Sequence, residues 1–175
     1  MFEDYLEDAY ALATNARKST SERSAKRDYR ASVFYAISAI EAFVNFVGDT
    51  LSKAEKVELY EVAFLVDKKF GIQADKFMML DQLEYHRLED KLRYLMAKYV
   101  PSFDLGNEPD WQIFIEFKRF RDSLVHPRQE EDEVGVEEYH TVLEKGLAST
   151  IKIMNRVCNG IFGRDLRKRI LDLTL

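Results

Sequence analysis

The 175-residue chain is 46% hydrophobic and 33% charged, enough for one sizeable core and too evenly apolar for a long disordered region. Its net charge of −5 argues against tight, non-specific coating of a duplex, so any nucleic-acid contact has to come from a local positive patch. No apolar run reaches the ~18–20 residues of a membrane span, the opening MFEDYLEDAYALA is acidic where a secretion signal is basic, and a single cysteine, Cys158, excludes an internal disulfide; a reducing, cytoplasmic setting with no membrane is the expectation.

With only three prolines and seven glycines, the dominant period is helical. Phe2, Leu6, Ala9, Tyr10 and Ala13 form a first apolar stripe. The polar stretch 17-RKSTSERSAKRD-28 follows, in which Ser19, Thr20 or Ser21 is placed to cap the next helix, with Glu22 near the N3 position. In that second helix Val33, Ile37, Ile40, Val44, Val47 and Leu51 recur at spacings of 4, 3, 4, 3 and 4, a heptad seam. Leu59, Val62, Ala63, Val66 and Phe70 predict a third helix stopped near Gly71. Residues 71–82 read as irregular, with Phe77, Met78, Met79 and Leu80 tucked into the core. Leu88, Leu92, Leu95, Met96 and Tyr99 give a fourth helix that ends before Pro101.

A turn-rich connection, 101-PSFDLGNEP-109, leads to a fifth helix with Pro109 in its first turn and Trp111, Phe114, Phe117, Phe120 and Leu124 on its apolar side. The acidic loop 129-QEEDEVG-135 separates it from a sixth helix carrying Tyr139, Leu143, Leu147, Thr150, Met154, Val157 and Ile161, and Cys158 falls in the same apolar pattern as a core residue. A basic tail helix, 164-RDLRKRILDL-173, closes the chain. The expected architecture is one all-α domain over residues 1–175, an antiparallel bundle of about six to seven helices with its core at about 25–160.

One stretch suggests chemistry: 119-RFRDSLVHPR-128. Arg121 follows Phe117 by four residues and Phe114 by seven, so it lies on the aromatic side of its helix. Arginine rarely enters such a face without a partner or a ligand. His126 is five positions on, about 140° around an unbroken helix. Pro127, however, disfavours helical backbone at residue 126, which frees the imidazole to swing back toward Arg121. A histidine moves protons near neutral pH, and an arginine grips phosphate through paired hydrogen bonds. Lys118, Arg119 and Arg128 add local positive charge. That set suits RNA cleavage in which the 2′-hydroxyl is the nucleophile and no metal or other cofactor is needed. The plainer alternative pairs Arg121 with Glu41 or Asp122 and makes His126 a cap at the helix C-terminus. Elsewhere, His86 and His140 are isolated and show no metal-ligand spacing. The run 130-EEDE-133 is a solvated loop or a contact for a basic partner, and 164-RDLRKR-169 a solvated face or an RNA contact.

The long helix 34-FYAISAIEAFVNFVGD-49, the later 91-KLRYLMAKY-99 and the late helix ending RDSLVHPR together resemble the HEPN superfamily, over roughly residues 25–160. The resemblance implies a helical bundle with an R-x4–6-H motif at a helix end, a metal-independent endoribonuclease activity, and a homodimer that brings two motifs together. It also implies a setting among toxin–antitoxin, abortive-infection or CRISPR-linked defence systems, with an antitoxin or other protein partner. By position, Arg121 and His126 are the motif residues. Ser38, Glu41 and Asn45 form a polar line beside the seam, where the resemblance puts a residue that orients the motif; Glu41 is that candidate, with Ser38 and Asn45 as substrate contacts. The alternative for this line is a face turned to solvent. The tyrosine that some toxin members carry two residues after the histidine is Arg128 here, so their tyrosine modification does not carry over. The superfamily includes inactive members, which leaves as an alternative a non-catalytic module that binds a partner protein or nucleotide.

Overall fold

A computed structural model of the protein describes residues 1–54, 57–101, 103–126 and 134–175. Helix α1 (Phe2–Lys18) turns through three residues into the long α2 (Glu22–Leu51). So short a connection makes the two antiparallel. The Ser32 hydroxyl donates to the Ala9 carbonyl at 2.5 Å, and Phe2 meets Phe43 edge-on at 5.3 Å. All six seam residues of α2 are buried, from Val33 to Leu51. This helix has the length and mean hydropathy of a membrane span, which corrects the expectation from uninterrupted runs. It is instead wrapped by the bundle, with thirteen of its residues buried.

Two further long helices complete the frame: α5 (Pro109–Val125) and α6 (Val136–Phe162), with α4 (Leu88–Tyr99) alongside. Tyr29 stacks on Tyr139 and Phe46 meets Phe162, so α2 and α6 run in the same direction. α5 runs against α6. Glu108 forks onto Arg156, Asp110 meets Lys152 at 3.0 Å, and Phe120 meets Tyr139 at 5.5 Å. Trp111, Phe114 and Phe117 are the buried face of α5. Phe117 lies directly on the α6 backbone, and a Cβ at Gly146 would sit 2.3 Å from its ring. Only glycine permits that approach. It fixes the height of α5, and with it the position of Arg121 one turn on. A single core cluster runs from Leu6 to Ile170 and includes Cys158.

Among the described residues there are seven α-helices and one two-stranded sheet. Helix α3 (Leu59–Leu65) is shorter than expected. Phe70 is not its last turn but part of a β-hairpin, β1 (Lys68–Gln73) paired antiparallel with β2 (Lys76–Leu83). The two-residue loop between the strands, Ala74–Asp75, has φ +50° and +57° at both positions. That is the left-handed pair a tight hairpin needs, here built without the glycine or asparagine that would announce it. Residues 71–82 are therefore not irregular, and Phe77 and Met78 are not in the core: Phe77 is 69% exposed. Phe77 stacks on Phe70 at 5.7 Å, and Phe70 meets Tyr60 of α3, but the sheet has only two strands to cover it; Ile72, Phe77 and Met78 stay exposed, and Met79 and Leu80 are half-buried outside the core cluster.

Two end signals also differ from expectation. Ser21 caps α2, accepting from the Ser24 N–H, which puts Glu22 at the first helical position, not the third. The tail is helical only in α7 (Lys168–Leu171). Leu166 and Ile170 anchor it in the core, while Arg167 and Arg169 pair with Glu3, and Arg169 also with Glu7. Those basic residues are committed to α1.

Candidate functional site

Helix α5 ends where Pro127 requires. Val125 is its last residue, and His126 has left helical geometry at φ −124°, ψ 65° while its N–H still bonds the Asp122 carbonyl at 3.0 Å. The imidazole is exposed and has no hydrogen bond or ion pair among the described residues. It makes no hydrogen bond to Arg121. Arg128 and the run 130–133 lie outside the described residues.

Arg121 is held by α2. Its Nη2 donates to Glu41 Oε1 at 3.2 Å. Its Nε lies 3.3 Å from Asp122 Oδ1, too poorly aimed for a hydrogen bond, so this buried N–H keeps no hydrogen-bond partner among the described residues. The Arg121 side chain is 23% exposed and Glu41 46% exposed. The guanidinium is thus oriented but not sealed: its Nε is buried beside Asp122, and its Nη1 makes no hydrogen bond among the described residues.

The neighbours form a chain of alternating charge across three helices. Lys118 meets Glu89 of α4 at 3.1 Å and Asp122 at 2.9 Å. Asp122 approaches Arg121, and Arg121 reaches Glu41. Burial alone would lower the Lys118 pKa, but the carboxylates of Asp122 and Glu89 outweigh it and hold the ammonium above the ordinary lysine range. Lys118 is therefore a fixed member of the network. Arg119 is exposed on the outer side of α5. On α2, Ser38 is half-buried one turn before Glu41, and Asn45 is exposed one turn after it, at the edge of a groove beside α1. Structure and sequence agree on the pair Arg121–Glu41; Ser38 and Asn45 make no contact with it.

Glu89 was not among the sequence candidates. The i,i+4 spacing of Lys118 and Asp122 is readable in the chain, but the partner on α4 depends on packing between distant segments. His86 sits 3.7 Å from Asp67, and His140 packs beside Tyr29. Among the described residues no group of three or more His, Cys, Asp or Glu is placed to hold a metal ion.

The chain matches no protein-family model, no curated protein and no solved structure. The resemblance to the HEPN superfamily rests on the sequence features alone.

Proposed function

We propose that this protein is a HEPN-type, metal-independent endoribonuclease that acts as a cytoplasmic homodimer on single-stranded or loop RNA, where unstacked nucleotides reach a pocket. The observation that carries the reading is Arg121, oriented by Glu41 through Nη2 with Nη1 free of hydrogen bonds among the described residues, on the helix capped by an exposed His126. One protomer supplies an arginine and a histidine with no hydrogen bond between them, and in this reading a second copy across a two-fold axis completes the pocket. In the reaction His126 acts as general base or acid. The 2′-oxygen attacks phosphorus as its proton leaves, the 5′-oxygen departs and is protonated, and Arg121 stabilises the charge on the phosphate oxygens. The products are a 2′,3′-cyclic phosphate and a 5′-hydroxyl.

The test is cleavage of an RNA panel in excess EDTA, alongside DNA of the same sequences. RNA-only cutting with cyclic-phosphate ends is the expected result; metal-dependent cutting, or intact RNA throughout, overturns it. A second reading, a non-catalytic module that binds a partner protein such as an antitoxin, draws on the pairing of Lys118 and Arg121 with carboxylates, which leaves less free positive charge for RNA. Intact RNA together with a stable protein complex would favour it.

A further inference from the structure

On the side of the bundle formed by α1, α2, the end of α6 and the tail lies a groove of about 990 Å³. That volume suits a small ligand. Phe2, Phe46 and Phe162 form its walls, and Phe43, Cys158 and Leu166 its floor. The aromatic walls are in mutual contact, Phe2 to Phe46 at 5.8 Å and Phe46 to Phe162 at 6.2 Å. The lining is therefore a continuous apolar surface reaching open solvent, and Phe46 is 47% exposed in it.

The charges around the mouth decide what would fit. Each carboxylate there accepts from a protein group, and three of the four meet a positive charge. Glu3 holds Arg167 and Arg169, Asp4 the Met1 amino group, Asp49 Lys53, and Asp165 the amides of Asn155 and Asn159. Arg164 lines the same groove and has no hydrogen-bond or ion-pair partner among the described residues. It is put there by Gly163, whose left-handed φ of +64° ends α6 and turns the chain across the groove. Burial raises the pKa of the Cys158 thiol at the floor; Arg164 opposes that, while Asp165 and Glu3 add to it. The groove thus presents an apolar trough with the unused donors of Arg164 at its mouth, beside Asp165, whose Oδ1 is taken by two amides.

We propose that this groove binds an apolar carboxylate: an alkyl or aromatic body along Phe2, Phe46 and Phe162, with its anionic head on Arg164. The site is separate from Arg121 and His126 and stands whether or not the protein cleaves RNA. The test uses the full chain and three ten-carbon probes below their micelle concentrations: decanoate, decanol and decyltrimethylammonium. Titration calorimetry should give saturable one-to-one decanoate binding, weaker decanol binding and no tight binding of the cation. Decanoate should slow alkylation of Cys158, the chain's single cysteine. Arg164→Ala, at an exposed position, should weaken decanoate on the order of ten-fold, the effect of losing a hydrogen bond to a charged group. Arg164→Glu should reverse the preference between the carboxylate and the ammonium. Phe46→Ser should weaken all three probes while the protein keeps its sedimentation coefficient. Equal decanoate affinity in the Arg164→Ala protein, tighter binding of the cation by wild type, or no saturable binding overturns the proposal. So does a dimer that Phe46→Ser converts to a monomer, because a second copy would then be the occupant.

Discussion

Two clusters of charge hold α4 in place, and they are built differently. On one side, α3 and the hairpin meet α4 through Glu61–Lys98 at 2.5 Å and Asp67–Lys91 at 2.6 Å, with Phe64 and Tyr94 in edge contact between the pairs. Glu61 is 8% exposed and Lys91 4%. Both Glu61 oxygens and both Asp67 oxygens are occupied, and Asp67 adopts φ +56° to accept the His86 N–H as well. On the other side, α4 meets α5 through Glu89 and Lys118, and the chain of charges runs on to Arg121 and Glu41 at the edge of solvent. The first cluster closes both oxygens of Glu61 and of Asp67, so its charge is committed to structure, although His86 Nδ1 beside Asp67 keeps no hydrogen bond. The second stands at the edge of solvent, with Arg121 reaching one oxygen of a half-exposed Glu41. Counting ion pairs would not separate them; the exposure of Glu61 against that of Glu41 does.

The sharpest way to break this contrast is His126→Ala. If the second cluster is the site, RNA cleavage drops ~10²–10⁴-fold, the usual contribution of positioned acid–base catalysis, with an unchanged melting temperature because the side chain is exposed. An equal cleavage rate would remove the contrast altogether. Next is Lys91→Ala in the first cluster. Leaving Asp67 without its ammonium should destabilise the fold by about 3 kcal/mol, the low end for breaking a buried pair since Asp67 is partly exposed. Urea titration measures it. Gly146→Ala tests the seat of α5 itself. Pushing a methyl into the Phe117 ring should cost ~1–3 kcal/mol as overpacking and should lower any cleavage by displacing Arg121.

A pH titration of stability sharpens the first cluster. Burial alone would raise the Glu61 pKa, but the Lys98 ammonium, the Tyr94 hydroxyl and the Glu58 N–H outweigh it and hold it below the usual carboxylate range. The folded pKa is depressed, so this stabilisation is fully present above the unfolded carboxylate value and is lost as pH falls through the depressed folded one. Lys98→Met should therefore flatten the acid limb of the melting-temperature profile. The smallest effect belongs to the second cluster. Glu41→Gln breaks a half-exposed pair and should shift stability by only ~0.2–1 kcal/mol. A loss as large as that of Lys91→Ala would show that Arg121 is structural after all.

The long helices were legible in the sequence because burial follows a 3.6-residue period that the chain displays directly; the α2 seam and the Trp111–Phe114–Phe117 face are buried as the spacing requires. The end of α5 was legible because proline acts locally. The hairpin was not. Its turn is Ala74–Asp75, residues that enter left-handed backbone without advertising it, and its exposed Phe77 and Ile72 imitate a core pattern. The site divided along the same line. The pairing of Arg121 with Glu41 or Asp122 was the plainer sequence alternative, and Glu41 the orienting residue the resemblance implies; Arg121 meets both carboxylates. The double tether of Lys118 was not legible, because Glu89 reaches it only through the packing of α4 on α5.

Trp111 gives the molecule a built-in optical gauge. It is the only tryptophan in the chain, 2% exposed, in the first turn of the helix that ends in His126, with the Arg93 guanidinium 5.7 Å from its ring centre and Phe114 at 5.8 Å. Selective excitation at the red edge of indole absorption therefore reads one place only, the junction where α5 sits on the bundle. An emission that shifts to the red before the far-ultraviolet circular dichroism changes would mean that α5 lifts away while the remaining helices stay folded, carrying Arg121 away from Glu41.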